Sequence, residues 1–195
     1  MLKKNNVYWI KFLKTDYMKK TLITIMIAIV TIFGLNAQNT KLIVGKKAPE
    51  WTLENASKVE FTMDTWKGKV LQINYVDPDV SDLNDPFNDA IDKATDIDKR
   101  IDKEYFKGFG IVDTKSTWKP NAVIKMIAKN KEKKYGTTIL FDYDGKLQDL
   151  WGMPADNYSV VIVDKNRIVR AVYTGEIAPS EFEKIIQLII DLTKE

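Results

Sequence analysis

The chain has 195 residues, 45% of them hydrophobic, a formal net charge of +3, and neither cysteine nor histidine. Without cysteine there is no disulfide, no thiol nucleophile and no thiolate metal site. Without histidine the chain lacks both the usual general base near neutral pH and the commonest metal ligand. Zinc sites, Ser-His-Asp triads and Cys-His dyads are therefore excluded, and only carboxylate, Lys, Tyr, Ser and Thr side chains remain for any chemistry.

The segment 18–37 reads as a secretory signal peptide. Two lysines are followed by an apolar run at 22–35 and by a small-residue site that ends at Ala37. The run is shorter than the roughly 20 residues that a spanning helix needs. We therefore expect cleavage after Ala37, export to the periplasm and no stable membrane span in the mature protein. An uncleaved anchor is the alternative.

The remaining chain divides simply. Met18 is interpreted as the true start, residues 1–17 as an upstream extension, 38–43 as a linker and 44–195 as one domain. Six lysines and one aspartate precede residue 38, so the net charge of the mature part is slightly negative. This argues against a phosphate-binding surface, and no nucleic acid partner is expected.

Within the domain, strand patterns alternate with helix patterns. Period-two or buried apolar runs predict a hairpin over 44–55 and 58–69, then strands at 70–76, 109–113, 137–142, 158–164 and 168–175. Periods of three to four residues predict helices at 84–105, 120–133 and 147–151, and a last one that opens at 180. This order requires a mixed sheet with helices on both faces, an α/β fold.

Three motifs occur in the order of a thioredoxin fold of the peroxiredoxin/TlpA-like form. The stretches that resemble this fold are VGKKAPEWTL, WKGKVLQINYV and VVIVDKNRIVRAVYTG. The resemblance covers about residues 44–193. It implies a thioredoxin-like three-layer sandwich, with a mixed central sheet, an N-terminal β-hairpin and helices on both faces.

A closer resemblance is to the YtfJ family of periplasmic thioredoxin-like proteins. It rests on the GKV strand with a loop lacking cysteine, the acidic helix after it, and the stretches VDT, TTILFDYDG, LWGM and VDKNRIVRAVYTGEIAPSEFEKIIQLI. The family's biochemical role is not established. The resemblance therefore implies a fold and a periplasmic location but no reaction, and no cofactor is expected.

Both halves of the thioredoxin redox site are missing. Aligned with the K-x-x-L-V-N-F-W-A-S-W-C-x-x-C pattern, the two cysteine positions fall on Val80 and Leu83, and the cis-proline position falls near Tyr158. Thiol–disulfide exchange needs a thiolate, so this protein cannot perform it, and cysteine peroxidase chemistry is excluded for the same reason.

The resemblance places a candidate binding surface at the former redox face. It comprises Asp79, Val80, Ser81, Asp82 and Leu83 of the loop, with Trp151 and Tyr158 beside it. An apolar groove there would bind a peptide or a protein segment of the cell envelope. The leading hypothesis is therefore a redox-inactive binding or accessory module.

Other roles remain open at this stage. The carboxylates between Asp77 and Asp89 either cap the following helix or hold a hard cation such as Ca²⁺, and capping is favoured. The lysines at 129–134 are interpreted as a solvated helix end. An enzyme that uses carboxylate, Lys or Tyr groups in the same cleft is the third possibility, and it requires titratable groups that converge in a pocket.

Overall fold

The computed structural model describes residues 41–195. The predicted extension, signal peptide and cleavage site, and the first half of the predicted linker, lie outside these residues. Residues 41–195 contain seven strands: β1 Thr52–Asn55, β2 Glu60–Thr62, β3 Val70–Val76, β4 Phe106–Asp113, β5 Ile139–Asp142, β6 Tyr158–Val163 and β7 Val169–Thr174. They also contain four α-helices: α1 Asp85–Asp92, α2 Asn121–Tyr135, α3 Lys146–Trp151 and α4 Pro179–Lys194.

All seven strands of residues 41–195 join one sheet in the order β2-β1-β5-β4-β3-β6-β7. The pairs β3–β4 and β4–β5 are parallel, while the hairpins β1–β2 and β6–β7 and the pairs β1–β5 and β3–β6 are antiparallel. Two parallel pairs require helical crossovers, which α1 and α2 supply. The predicted mixed sheet with an N-terminal hairpin is confirmed.

The central strand β3 is buried on both sides and directs alternate side chains to two cores. Leu71, Ile73 and Tyr75 pack with Trp151 of α3 and with the segment before β3. On the opposite face, Val70 packs with residues of α1 and α4, and α2 covers the neighbouring part of that face. Helices therefore lie on both faces of the sheet, as predicted.

The helix predicted over 84–105 is much shorter. After α1 the chain makes one π-helical segment, Lys93–Ile97, and then turns through Lys99, which has φ +55°. Ile101 still reaches the core because its N–H bonds back to the carbonyl of Ala94 at 3.2 Å. The apolar spacing thus continues across a turn, and this continuation explains why the prediction is wrong beyond residue 97.

Within residues 41–195, no helix combines the length and the apolar character that crossing a membrane requires.

Arg167 ties the closing hairpin to the segment that precedes β3. Its backbone has φ +67°, and its side chain is almost fully buried. Nε donates to Met63 O at 2.9 Å, Nη2 to Trp66 O at 2.8 Å, and Nη1 to Lys69 O at 2.9 Å and Asp164 O at 3.4 Å. One guanidinium therefore satisfies carbonyl groups from two distant parts of the chain.

Asp142 at the end of β5 is a second buried polar link. Its Oδ2 accepts hydrogen bonds from Tyr75 Oη at 3.0 Å, from Leu147 N at 3.0 Å and from Gln148 N at 3.1 Å. The last two donors belong to the first turn of α3, so this carboxylate fixes the start of that helix.

Candidate functional site

The loop after β3 forms a turn of 3-10 helix, Pro78–Val80, that is capped by Asp77. The Asp79 N–H donates to Asp77 Oδ1 at 2.7 Å. Burial raises the pKa of the Asp77 carboxyl, and its Oδ2 has no hydrogen-bond partner among residues 41–195. The loop thus leads from β3 towards α1 through a compact acidic turn.

Val80 and Leu83 are the residues that the sequence motif aligns with the two thiol positions of a thioredoxin. Both side chains are half-buried and pack against the apolar cluster beneath α1 and α4, which includes Phe87 and Ile177. These positions therefore contribute packing contacts and no reactive group.

Asp79 and Asp82 form ion pairs. Asp79 pairs with Lys119 and accepts a hydrogen bond from Thr117 Oγ1 at 2.9 Å. Asp82 lies 2.7 Å from Lys131 Nζ, and this lysine lowers the pKa of the Asp82 carboxyl. The acidic loop is therefore attached by charge to α2 and to the segment that leads into it.

The favoured interpretation, that these loop residues cap α1, is wrong. The N-cap residue of α1 is Asn84, and its side chain makes no capping bond. Instead Asn84 Nδ2 donates to Gly175 O at 3.0 Å, and its Oδ1 accepts from Ile177 N at 2.8 Å. The start of α1 is thus held by the loop between β7 and α4.

Lysines predicted to lie in solvent also pair across the gap between α1 and α2. Lys131 Nζ lies 2.6 Å from Asp85 Oδ1, and Lys134 Nζ lies 3.3 Å from Asp85 Oδ2 and 3.5 Å from Asp89 Oδ1. Within residues 41–195 no three acidic side chains are grouped so that they could hold a metal ion. Pairing with lysine takes up four of the carboxylates on which the cation hypothesis depends, Asp79, Asp82, Asp85 and Asp89, and leaves Asp77 outside these pairs.

Beneath these pairs, a cleft of about 300 Å³ lies between α1 and α2 on the face of β3 and β4. In the parallel register Gln72 stands beside Gly108, and Asn74 stands beside Gly110. Because two glycines occupy this face of β4, neither position contributes a side chain of its own to the space above it. The cleft therefore follows directly from the pairing of a polar strand with a glycine-containing one.

A chain of hydrogen-bonded side chains runs along one side of the cleft. Gln72 Nε2 donates to Asn74 Oδ1 at 3.3 Å and to Asn88 Oδ1 at 3.2 Å. Asn88 Nδ2 donates in turn to Tyr158 Oη at 3.0 Å. Burial raises the pKa of the Tyr158 hydroxyl, so this group stays neutral. The network fixes the orientation of Gln72 and Asn88 beside the cleft.

The carbonyl oxygen of Gln72 is left without a partner. Gln72 is 2% exposed, and its Oε1 accepts no hydrogen bond within residues 41–195. This atom would lie 3.8 Å from a Cβ added at Gly108, and Gly108 lines the cleft. An unpaired buried oxygen is therefore directed towards the glycine floor.

The cleft also has ionisable walls. Burial, together with the carboxylates of Asp96 and Asp89, raises the pKa of Asp92 to about 6. On the opposite wall, burial raises the pKa of Tyr135 to about 12. Asp92 and Tyr135 both line the cleft, so titratable groups do meet in one pocket.

The structure places only some of the predicted site residues at this cleft. Ser81 and Tyr158 line it, whereas Asp79, Val80, Asp82 and Leu83 lie in the loop beside it. Trp151 is buried on the opposite face of the sheet, where its Nε1 donates to Pro49 O at 3.1 Å. Trp151 and Tyr158 therefore do not share a groove.

Sequence reasoning missed the strand residues at the floor of the cleft, although a signal for them exists. Gln72 and Asn74 are polar residues on one face of a buried strand, and Gly108 and Gly110 repeat with the same period of two in the next strand. If two such strands pair so that the polar residues of one lie beside the glycines of the other, a polar opening is expected between them. The register itself was not available from the sequence.

Solved structures of similar fold include several thiol–disulfide proteins. They include a candidate thiol:disulfide interchange protein DsbE from Chlorobium tepidum (TM-score 0.59, 16% identity, 78% of this chain and 99% of that chain covered). A candidate protein disulfide isomerase from Bacteroides thetaiotaomicron is similar (TM-score 0.59, 18% identity, 79% and 92% covered). So is the exposed lipoprotein thioredoxin of Streptococcus pneumoniae (TM-score 0.55, 17% identity, 74% and 100% covered). These likenesses show a thioredoxin-like fold.

No curated protein matches this sequence. One family does, over residues 35–192, and it is described as "Bacterial protein of unknown function (YtfJ_HI0045)". Because this match spans most of the chain, it bears out the resemblance read from the motifs. The chain thus belongs to the YtfJ family and has a thioredoxin-like fold without cysteine.

Proposed function

We propose that this protein is an exported binding or accessory protein of the cell envelope that works without thiol chemistry and holds its ligand in the cleft between α1 and α2. One observation carries the proposal. The cleft is floored by two glycines and lined by a buried amide chain, in which Gln72 Oε1 lacks a partner. A concave site with a few converging polar groups is the usual form of a ligand pocket.

The absence of cysteine supports binding rather than redox catalysis. No cysteine occurs in the 195 residues, and the residues that the motif aligns with the thiol positions, Val80 and Leu83, are apolar and pack against a buried cluster. A thioredoxin-like scaffold can host unrelated functions, since function resides in the site and not in the fold.

The volume of the cleft favours a small ligand. About 300 Å³ is available, at the lower end of the roughly 300–1,000 Å³ typical of small-molecule pockets. A small molecule, or one side chain of an envelope partner, suits this space better than the peptide or protein segment expected from the sequence.

Export is proposed from the signal-like segment 18–37. Its test is direct. The full chain with a C-terminal tag is expected in the envelope fraction and shortened at its N-terminus by removal of the segment before Gln38. Recovery in the cytosol at full length would contradict this location.

An enzyme is the second candidate, and Asp92 is the observation that favours it. A half-buried carboxyl with a pKa of about 6 beside a cleft has the properties of a general acid or base. Catalysis would consume the ligand, whereas a binding protein returns it unchanged. Mass spectrometry of ligand incubated with the protein separates the two.

The cleft is tested with Gly108→Val. A Cβ atom at Gly108 meets only ordinary contacts, at 3.7 Å or more, and the two methyl groups of valine add volume at the floor of the cleft. Compounds that raise the melting temperature of the wild type are expected to have no effect on Gly108→Val. Thr174→Val, on the exposed end of β7, is the matched control and is expected to respond like the wild type. A response of Gly108→Val equal to that of the wild type would place binding elsewhere.

A further inference from the structure

The cleft contains a hydrogen-bond acceptor that the fold does not use. Gln72 Nε2 is fully engaged with Asn74 and Asn88, so the amide cannot turn its Oε1 towards them without losing those bonds. An unpaired buried acceptor of this kind is costly. It becomes satisfied when a ligand brings an N–H or O–H group to the glycine floor.

A second acceptor, Asp92, lines the same cleft. It follows Asn88 by four residues on the same side of α1, about 6 Å along the axis, and Asn88 contacts Gln72 at 3.2 Å. Among residues 41–195, no lysine or arginine is paired with Asp92, since the nearby Lys103 pairs with Asp96.

The three other lysines that line the cleft are also engaged. Lys131 is held by Asp82 and Asp85 at 2.7 and 2.6 Å. Lys69 donates to Lys103 O at 2.7 Å, and Lys107 Nζ lies over the Trp66 ring, 5.6 Å from its centroid.

The cleft thus combines a carboxylate that forms no ion pair among residues 41–195 with a neutral acceptor that lacks a donor. Apolar groups adjoin them, because Phe106 Cζ would lie 3.7 Å from a Cβ at Gly108 and Ile91 lines the α1 wall.

We infer that the cleft binds an alkylammonium group, with the protonated amine between the Asp92 carboxylate and Gln72 Oε1 and the apolar stem against Ile91 and Phe106. The inference rests on the proposed function, and it names the chemical class of the ligand. A primary ammonium carries three donors and one positive charge, which match a charged and a neutral acceptor together. A carboxylate of the same size would be repelled by Asp92.

The test measures binding of n-butylamine, n-butanol and butyrate to the purified chain by NMR titration of side-chain amide signals. Butylamine is expected to shift the Gln72 and Asn88 amide signals and to bind about tenfold more tightly than butanol, since the charged hydrogen bond is lost in the alcohol. Butyrate is expected not to bind.

Variants locate the charge. Asp92→Asn is expected to weaken butylamine binding about tenfold while butanol binding stays the same. Asp191→Asn is the matched control, because Asp191 is exposed on α4 and far from the cleft residues in sequence, and its affinity should equal that of the wild type. Equal affinity of wild type and Asp92→Asn for butylamine would overturn the inference.

Two sources of the same group can be separated. Tighter binding of Nα-acetyl-lysine methylamide than of butylamine indicates a lysine side chain of a partner, and the reverse indicates a free amine. Binding of butanol or butyrate in preference to the amine, abolished by Gly108→Val, would overturn the amine inference and leave the proposed cleft function intact. If no compound binds in a way that Gly108→Val abolishes, both the amine inference and the proposed function of the cleft are contradicted.

Discussion

Removing the Arg167 guanidinium is expected to destabilise the protein more than removal of any exposed charge. The side chain is 3% exposed and donates to carbonyl groups of Met63, Trp66 and Lys69 at 2.8–2.9 Å. In Arg167→Ala these carbonyls lose a charged donor in a buried place. The loss of three charged hydrogen bonds lowers the free energy of unfolding, and removal of a buried guanidinium offsets part of this because the charge no longer has to be taken out of water. The expected net loss is about 3–5 kcal/mol.

Arg167→Gly separates the side chain from the backbone. Because φ is +67°, alanine at this position keeps a backbone strain that glycine does not have. We expect Arg167→Gly to be more stable than Arg167→Ala by about 1 kcal/mol, although it lacks the same hydrogen bonds. At an ordinary φ the order would be reversed, since glycine has the more flexible unfolded state.

Urea unfolding of the wild type and of both variants measures these differences, provided that the m-value stays constant. Arg170→Ala is the matched control on the same hairpin. Arg170 is about one-third exposed and pairs with Asp164 and Glu195, so its loss is expected to be below about 1 kcal/mol. A loss for Arg167→Ala no larger than that for Arg170→Ala, or glycine less stable than alanine, would refute the reasoning.

Three further predictions concern the links of the fold and the cleft. Asp142→Ala is expected to lower the free energy of unfolding by about 3 kcal/mol, because three donors lose their acceptor. Tyr75→Phe removes only one of these hydrogen bonds and is expected to lower it by about 1 kcal/mol. Equal effects of the two substitutions in urea unfolding would contradict this. Lys131→Met is expected to increase amide hydrogen exchange in the first turn of α1, since Asp85 loses its 2.6 Å partner, and unchanged exchange would count against the link. Asp92→Asn is expected to be more stable than the wild type at pH 7 and equally stable below pH 4. The pKa of Asp92 is about 6 in the folded protein and lower in the unfolded chain, so ionisation of Asp92 destabilises the folded protein as the pH rises from about 4 to 6. A stability difference that is independent of pH between 4 and 7 would exclude this.

The sequence predicts the strands of the sheet well where apolar runs are continuous. The strand predicted at 70–76 has those bounds in the structure, because seven residues of a doubly buried strand leave little ambiguity. Strand β4 begins at Phe106, earlier than the predicted 109, since Lys107 and Gly108 interrupt the apolar run that marks a strand.

The candidate site was harder to predict, for a geometric reason. Tyr158 and Trp151 are close in sequence, but α3 lies on the opposite face of the sheet from α1, so the two side chains point to different cores. The cleft depends on the register that sets Gln72 beside Gly108, a contact across 36 positions of the chain. A single sequence carries residue types and periods, whereas pairing between distant strands depends on tertiary packing.

Gln72 connects the fold to the proposed function. Its neighbours on the other face of β3, Leu71 and Ile73, are fully buried and apolar, as folding alone would favour. Gln72 is as deeply buried and leaves Oε1 without a partner, which costs about 1–3 kcal/mol relative to a satisfied group. An apolar residue there, with a side chain in place of Gly108, would close the cleft and remove this cost. The sequence instead has both the unpaired Gln72 oxygen and the glycines that open the cleft. The proposed ligand, which donates a hydrogen bond to Gln72 Oε1 and fills the cleft, explains both features.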